Sequence, residues 1–311
     1  YLSELLLSKD YKIYGIVRRN SVVFNYNRID HIKDKLNLVY GDLTDGSSLN
    51  TIINDIINQN PDFEVLEIYN LGAQSHVKIS FEIPEYTSLV DGIGTLKLLE
   101  VICQLDSKYK GKIKFYQAST SEMYGEVLET PQTENTPFNP QSPYACAKVY
   151  SHFLVKNYRE GYNLFACSGV LFNHESIRRG DNFVTKKIVN SVQKFEEIIK
   201  NNEYETTEHI LKLGNINSKR DWGHANDYVK GMWLMLQQDV PEDYVIATGV
   251  QYSVRQLCEL SFKMAGHPIR WQGSGLHEEA VDTVTGKVVV SISEKYYRPT
   301  EVETLLGDPS K

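Results

Sequence analysis

Short apolar segments typical of β-strands alternate with amphipathic segments typical of helices through the first half of the chain. Strands are predicted at residues 13–17, 36–40, 65–71, 113–118 and 164–172, and helices at 1–9, 47–58, 84–105 and 143–158. This alternation favours an α/β fold with a mostly parallel, doubly wound sheet, because parallel neighbours need a crossover helix between them. From residue 174 onward the pattern loosens. Helices are predicted near 183–195, 227–238 and 253–265, and a short strand near 244–247.

The length of 311 residues fits one domain with an appended lobe as well as two domains. We expect a Rossmann-type dinucleotide-binding domain over residues 1–173 and a mainly substrate-binding lobe over 174–311, with parts near 209–250 returning to the first domain. A formal charge of −7 argues against general nucleic-acid binding. Without an apolar run near the ~20 residues that span a bilayer, or a visible signal peptide, we expect a cytoplasmic protein.

The cysteines and histidines give no sign of a metal centre or of a disulfide framework. The four cysteines are widely spaced and lie mostly in apolar segments, which predicts reduced, buried thiols. The eight histidines form no closely spaced pair, so no metal is expected.

A dinucleotide-binding fold of this kind opens with a strand and a glycine-rich turn, and neither precedes Tyr1. Gly92 and Gly94 form the only GxG of the first half, but they lie within a predicted helix, which favours close helix packing over phosphate binding. We therefore expect the sequence to begin inside the first helix of the fold, with a strand and a phosphate-binding loop before it.

Tyr144 and Lys148 stand four residues apart in a predicted helix, so they lie on one helical face. Ser142 is suited to cap this helix and Pro143 to occupy its first position. A nearby ammonium and a bound cationic cofactor would lower the pKa of the phenol from about 10 towards neutrality. Composition alone is equally compatible with a solvated helix face.

Two further polar residues follow the predicted strand at 113–118, namely Thr120 and Glu122. The carboxyl edge of an open parallel sheet is where such folds bind their ligands. A hydroxyl and a carboxylate at this edge, next to the tyrosine and the lysine, favour proton and hydride transfer on a hydroxylated substrate.

The segment after the strand at 13–17 carries Arg18 and Arg19 in place of an acidic residue. Arginine accommodates the 2′-phosphate of NADP, whereas an acidic residue would bind the ribose hydroxyls of NAD. A solvated basic turn is the alternative. Asp42, after the second predicted strand, is a candidate for contact with the adenine.

Eight segments of the chain carry a detailed resemblance to a known family: 15–19 (GIVRR), 40–43 (YGDL), 69–76 (YNLGAQSH), 115–125 (FYQASTSEMYG), 171–176 (LFNHES), 220–225 (RDWGHA), 247–255 (ATGVQYSVR) and 298–303 (RPTEVE). Together they resemble the extended short-chain dehydrogenase/reductase superfamily and, in detail, its GDP-mannose 4,6-dehydratases. The resemblance extends over nearly the whole chain, and motifs of this length are highly specific.

The resemblance implies a hydro-lyase reaction that produces GDP-4-dehydro-6-deoxy-D-mannose, a precursor of GDP-fucose or GDP-rhamnose-type sugars. NADP would take a hydride from C4 of GDP-mannose and return it to C6. Tyr144 would remove the hydroxyl proton, Lys148 would lower its pKa and hold the ribose, and Thr120 would bind the C4 oxygen. Glu122 would remove the C5 proton.

Ser121 stands where related glucose dehydratases are expected to carry an aspartate as the acid for the leaving hydroxyl. A serine is a poor acid at neutral pH. The acid is therefore expected to be Glu122, after it has taken the C5 proton, or Tyr144.

The resemblance also implies the binding residues. The cofactor contacts are Arg18, Arg19, Asn20, Ser21, Asp42, Leu43, Leu71, Gly72, Ala73, Gln74, Ser75, Tyr86, Tyr144, Lys148, His174 and Arg179. The substrate contacts are Asn173, Lys187, Arg220, Arg298 and Glu301. Any one of the charged residues taken alone is as compatible with an ordinary surface salt bridge. The loop at 18–31 carries apolar side chains, which favours a subunit contact and a dimer or tetramer.

Two other functions stay open at this point. An epimerase or reductase of the same superfamily would also use Thr120, Tyr144 and Lys148 but would need no base such as Glu122. A non-catalytic, NADP-binding scaffold would retain the site for binding alone.

Overall fold

The computed structural model describes residues 1–19, 28–109, 111–201, 203 and 209–311. The helices in these parts are α1 (Leu2–Leu7), α2 (Gly46–Gln59), α3 (Val77–Glu82), α4 (Pro84–Ser88), α5 (Gly94–Tyr109), α6 (Pro143–Tyr162), α7 (Val184–Lys200), α8 (Ala225–Leu236) and α9 (Val254–Met264). The strands are β1 (Tyr14–Val17), β2 (Asn37–Tyr40), β3 (Leu66–Asn70), β4 (Ile113–Thr120), β5 (Phe165–Leu171), β6 (Asn173–Glu175), β7 (Leu211–Leu213), β8 (Lys219–His224), β9 (Tyr244–Ile246), β10 (Gln251–Ser253), β11 (Ile269–Gln272), β12 (Glu279–Asp282) and β13 (Val288–Ile292).

The strands β3, β4, β5 and β9 form an all-parallel sheet in that order, and β1 pairs with β2 in parallel. Phe115 of β4 packs with Leu99 of α5 and Val155 of α6 on one face. The next residue, Tyr116, packs with Met232 of α8 on the other face, as the alternation of side chains along a strand requires. Helices cover both faces of the sheet, so the predicted doubly wound α/β class is confirmed.

A second four-stranded sheet, in the order β11-β12-β13-β7, is of mixed direction, with only β13 and β7 parallel. Helices α7 and α9 cover it through Phe195 and Phe262, which pack with Val290. The strands β10, β8 and β6 form a third sheet. Sequence patterning did not predict β6–β8 or β10–β13, because strands of three to six residues show too few alternations to be distinguished from loops.

Helix α6 begins as predicted. The Ser142 hydroxyl accepts a hydrogen bond of 3.1 Å from the backbone N–H of Ala145, and Pro143 follows the cap. The helix ends at Tyr162 and is capped by Asn163, whose φ of 56° is left-handed. Its N-terminus lies next to the carboxyl end of β4, and this brings the first turn of α6 to the edge of the sheet.

The predicted helix at 84–105 is interrupted. Helices α4 and α5 are joined by a π-helical turn, Leu89–Ile93. A Cβ on Gly94 would lie 2.8 Å from Leu43, and one on Gly92 would lie 3.3 Å from Tyr150 of α6. Both glycines therefore serve close packing, as expected. Within the described residues, no helix is long and apolar enough to cross a bilayer.

The prediction of buried thiols is wrong for Cys146, which is exposed, while Cys167 and Cys258 are buried and Cys103 is half-buried. Tyr144 and Lys148 both lie on the buried face of α6. Cys146 stands two residues from each, about 200° around the helix, and therefore faces away from the sheet.

Candidate active site

A cleft of about 830 Å³ lies at the carboxyl ends of β4 and β5, where the sheet meets the segments that follow residue 171. Most of the predicted site residues line it. These are Leu71, Ala73, Ser75, Thr120, Ser121, Glu122, Tyr144, Lys148, Asn173, His174, Arg179, Lys187, Arg220, Arg298 and Glu301.

Tyr144 and Lys148 are buried, with 8% and 2% of their surfaces exposed. The Lys148 ammonium donates a hydrogen bond of 3.0 Å to the carbonyl of Ala118 in β4, and its Nζ lies 6.0 Å from the centre of the Tyr144 ring. The alternative of a solvated helix face is therefore wrong. The pair is turned towards the end of the sheet.

The protein groups around Tyr144 raise its pKa, mainly through burial and then through the charge of Asp91. The hydroxyl of Thr120 lowers it by hydrogen bonding, and Arg179 lowers it by its charge, but these effects are smaller than that of burial. The expected lowering by Lys148 is not found, and burial lowers the pKa of that lysine. The surrounding side chains by themselves thus keep the phenol protonated at neutral pH.

Glu122 lies in a 3₁₀ turn, Ser121–Met123, directly after β4, and its backbone N–H donates to the Thr120 hydroxyl over 3.2 Å. Its carboxylate is 3.4 Å from the Arg298 guanidinium and 3.9 Å from that of Arg220. The residue predicted as a base therefore contacts two of the residues predicted to bind a diphosphate.

Arg220 is buried in β8, which lowers its pKa, while the charge of Glu122 raises it. The backbone of Arg298 is fixed by a hydrogen bond of 2.8 Å, which its N–H donates to the Glu301 carboxylate. The Lys187 ammonium lies 3.5 Å from the centre of the Tyr296 ring. It donates a hydrogen bond of 2.5 Å to the carbonyl of Lys212. These three cations therefore lie in the same cleft, on the side opposite the carboxyl ends of β4 and β5.

Arg179 acts on Tyr144 by its charge, whereas His174 packs against a different tyrosine, Tyr228. The His174 ring stacks on Tyr228 with 4.7 Å between centroids, and its Nδ1 is 2.9 Å from the carbonyl of Phe172. The Arg179 guanidinium lies 3.3 Å from the Glu175 carboxylate. Asn173 begins β6, the short strand that also carries His174 and Glu175.

Seven of the predicted cofactor residues do not line the cleft: Arg18, Arg19, Asp42, Leu43, Gly72, Gln74 and Tyr86. Arg18 donates a hydrogen bond to the Tyr86 hydroxyl, and the Arg19 guanidinium lies 4.6 Å above the ring of Tyr40. Both arginines are exposed at the end of β1. Asn20 and Ser21, with most of the loop at 18–31, fall outside the described residues.

The remaining members of this group make local contacts. Asp42 accepts two hydrogen bonds of 2.8 Å from the backbone N–H and the hydroxyl of Thr44. Leu43 packs so closely on Gly72 that a Cβ there would lie 2.8 Å away. The backbone N–H of Gln74 donates 2.7 Å to Asp91.

Similarity to known proteins decides between the candidate families. The family model described as GDP-mannose 4,6 dehydratase matches residues 1–311. Curated GDP-mannose 4,6-dehydratases of Drosophila melanogaster and Homo sapiens are each 53% identical, over all of this chain and over 76% and 81% of their own lengths. One of Vibrio cholerae is 52% identical, over all of this chain and 83% of its own length. The chain belongs to the GDP-mannose 4,6-dehydratase family.

Solved structures show that this member of the GDP-mannose 4,6-dehydratase family shares its fold with other sugar-nucleotide enzymes. A UDP-glucose 4-epimerase of Thermus thermophilus in complex with NAD aligns with a TM-score of 0.73 and 21% identity, over 99% of this chain and 86% of the other. A dTDP-glucose 4,6-dehydratase of Bacillus anthracis aligns with the same score and identity, over 99% and 83%. At this identity the likeness concerns the fold alone.

Sequence reasoning about this family member missed several residues of the site, among them four that carry a charge or a large aromatic ring. Lys78, Trp222 and Tyr296 line the cleft, and the buried Asp91 acts on Tyr144 by its charge. The signal for Asp91 was an acidic residue inside an apolar helical segment. Lys78 was missed because α3 was not predicted, although His76 caps it by accepting the backbone N–H of Ile79.

Proposed function

We propose that the protein is a GDP-mannose 4,6-dehydratase that converts GDP-D-mannose to GDP-4-dehydro-6-deoxy-D-mannose and water, with NADP recycled within each turnover. The observation that carries the proposal is the meeting of Thr120, Tyr144 and Lys148 with Glu122 in one cleft. The carboxylate decides the reaction class, because a 4-epimerase or a reductase needs no base at C5. The relatives named for this activity support the substrate.

The residues present fit a nicotinamide dinucleotide. Lys148 offers a buried ammonium beside the tyrosine, and the loop at 71–75 follows β3 at the same sheet edge. Arg18 and Arg19 are exposed at the end of β1, where they would hold a 2′-phosphate, which favours NADP over NAD. When bound, the cofactor supplies a hydride acceptor for C4, a hydride donor for C6 and a positive charge that lowers the pKa of the phenol.

Tyr144 takes the proton of the C4 hydroxyl as the C4 hydrogen leaves with its electron pair, and Thr120 binds the C4 oxygen. The resulting 4-keto group acidifies C5, and Glu122 removes that proton. The proton on Glu122 leaves with the C6 hydroxyl as water. The proton on Tyr144 returns to C5 as hydride reaches C6, so both groups end the turnover in their starting states. Ser121 lines the cleft but is too weak an acid to replace Glu122.

Cationic side chains on the opposite side of the cleft would bind the diphosphate and the nucleotide. Arginine binds two phosphate oxygens at once through its planar fork, which suits Arg220 and Arg298. Lys187 and Asn173 would bind further oxygens, and Glu301 would lie near the ribose. His174 and Arg179 would contact the cofactor beside Tyr144.

The test is incubation of the complete protein with GDP-mannose and NADP, without an external reductant. GDP-mannose deuterated at C4 should give a 4-keto product with the label at C6. A labelled product without loss of water indicates an epimerase or reductase. No conversion, with NADP bound, indicates a scaffold. Repeating the assay with NAD, and with Arg18→Ala, tests the cofactor preference.

We also propose the domain division at residue 173, a cytoplasmic location and a dimer or tetramer formed through the loop at 18–31. Most of that loop lies outside the described residues. Light scattering on the complete protein with NADP bound tests the assembly. A monomer alone would contradict it.

A further inference from the structure

Asp91 is a buried carboxylate that the reaction scheme does not use. It lies in the π-helical turn Leu89–Ile93 and is 1% exposed. One oxygen, Oδ1, accepts a hydrogen bond of 2.7 Å from the backbone N–H of Gln74, while Oδ2 has no hydrogen-bond partner within the described part of the chain. A buried charge that is only partly paired is costly, so a specific function is expected of it.

The contacts of Asp91 join two parts of the site. Gln74 belongs to the loop at 71–75, in which cofactor contacts are predicted. The backbone carbonyl of Asp91 accepts a hydrogen bond from the Ser151 hydroxyl, which lies on α6 about one turn after Lys148. The loop and the helix that carries the tyrosine are thus fixed to one residue.

Asp91 and Lys148 also act on each other electrostatically. Burial raises the pKa of Asp91 to about 6, while the Lys148 charge lowers it. In turn, the Asp91 charge raises the pKa of Lys148 against the lowering by burial. Among the described residues, the hydrogen bond to the carbonyl of Ala118 is the one that Lys148 makes, so Asp91 supplies the negative charge that this ammonium faces.

Few other charges act on this cluster. Besides Asp91, the charges of Glu122 and Arg179 act on Tyr144. The nearby groups of the helices packed against the turn have other partners: Tyr86 of α4 with Arg18, Lys97 of α5 with the carbonyl of Thr44, and Glu100 of α5 with Tyr158. Glu85 of α4 is exposed to solvent.

We propose that Asp91 is a positioning residue for the Tyr144–Lys148 pair, acting as the buried counter-charge of the lysine and fixing the loop at 71–75 against α6. The assignment deepens the proposed function and rests on it, because the pair is what carries the proton transfer. Asp91 acts through its neighbours and is not placed in contact with the substrate.

The first test is the pH profile of kcat/KM for dehydration in Asp91→Asn. This change keeps an oxygen for the Gln74 N–H and removes the charge. Because the Asp91 charge raises the pKa of both Tyr144 and Lys148, its loss lowers both, and the whole profile should move to lower pH. A profile that superimposes on that of the wild type would overturn the counter-charge.

A matched control is Asp282→Asn, which also removes a fully buried carboxylate, but from β12, where Asp282 accepts hydrogen bonds from Thr285 and pairs with His267. It should lower thermal stability and leave the pH profile in place. If both variants moved the profile equally, the effect of Asp91→Asn would be a general loss of structure, and the proposal would be wrong.

A second measurement is independent of turnover. The folded pKa of Asp91, about 6, lies above its unfolded value of about 3.9, so the folded state holds the extra proton between them. The contribution of this proton to the stability of the folded state is therefore complete at low pH, and it is lost as the pH rises through 6. Asp91→Asn lacks this loss, so its Tm minus that of the wild type should increase from pH 4 to pH 7. A constant difference would contradict a buried, titrating Asp91.

The proposal that Asp91 fixes the loop at 71–75 is tested by measuring the affinity for NADPH through the fluorescence of the nucleotide. Asp91→Ala removes the acceptor of the Gln74 N–H, and Kd should rise about fivefold, the effect of one lost hydrogen bond. Asp91→Asn should stay near the wild type. Equal affinity of all three proteins for NADPH would show that Asp91 does not fix the loop at 71–75. If the wild type bound NADPH but did not dehydrate GDP-mannose, the proposed function would fail, while the Tm and NADPH measurements would still decide on Asp91.

Discussion

The two sides of the cleft are built from different kinds of structure. On the sheet side, Thr120 ends β4, and Tyr144 and Lys148 occupy the first two turns of α6, all buried. On the opposite side, Arg298 follows a short 3₁₀ helix and is 27% exposed, while Lys187 lies on a separate helix, α7. Proton transfer requires fixed positions to within fractions of an ångström, which regular buried elements provide. Anion binding requires net charge, which separate segments can supply.

Like charges lie close together on this opposite side, the proposed anion-binding side, and this distinguishes it further. Burial, together with the charges of Lys78 and Lys295, lowers the pKa of Lys187. Burial and the charge of Arg298 lower that of Arg220. Mutual repulsion among these cations is relieved by an anion, so this side is suited to a diphosphate and the sheet side to a neutral sugar ring.

The largest effect is expected from Tyr144→Phe, which removes the hydroxyl on the sheet side. We expect kcat for dehydration to fall by about 10²–10⁴, the usual contribution of a positioned acid or base. Formation of the 4-keto product measures it. Tyr150→Phe, on the same helix but 43% exposed, is the control and should keep full activity. Wild-type turnover by Tyr144→Phe would exclude the tyrosine as the base.

Glu122→Gln should separate the two half-reactions. The first oxidation should proceed in a single turnover, visible as the absorbance of reduced nicotinamide, because Tyr144 is intact. Loss of water should slow by about 10² or more, since the base at C5 is missing. Unimpaired net dehydration would show that another group removes the C5 proton.

Arg298→Ala tests the anion-binding side. The KM for GDP-mannose should rise about 10- to 100-fold, as expected for the loss of a charge-assisted pair, with a smaller change in kcat. Arg270→Ala removes an exposed arginine from β11 and should change neither. A fall in kcat at unchanged KM would instead assign Arg298 to the positioning of Glu122, which its guanidinium contacts at 3.4 Å.

The smallest effects concern the thiols. Cys258→Ser places a hydroxyl in the apolar cluster between α7 and α9 and should lower the free energy of unfolding by about 1–3 kcal/mol. Cys146→Ser changes an exposed position and should stay within about 0.5 kcal/mol of the wild type. Denaturant unfolding measures both. Equal effects would contradict the burial of Cys258.

Local chemistry was predictable from the sequence. The cap at Ser142, the shared face of Tyr144 and Lys148, and the parallel sheet all follow from spacing and propensity within a few turns. The contact of Glu122 with Arg298 joins residues 176 positions apart, and no local pattern encodes it. The raising of the Tyr144 pKa by burial was not predicted for the same reason, because burial depends on packing around the whole cleft.

The position of Tyr144 at the start of α6 has a consequence for the charge that forms during turnover. Peptide dipoles along a helix of 20 residues add up to about half a positive charge at the N-terminus, and this field is strongest within the first turn. In the proposed reaction, a phenolate at Tyr144 would therefore form in the field of the helix end as well as beside an ammonium. Because the helix field comes from the backbone, neither a change of pH nor a substitution that preserves the helix removes it.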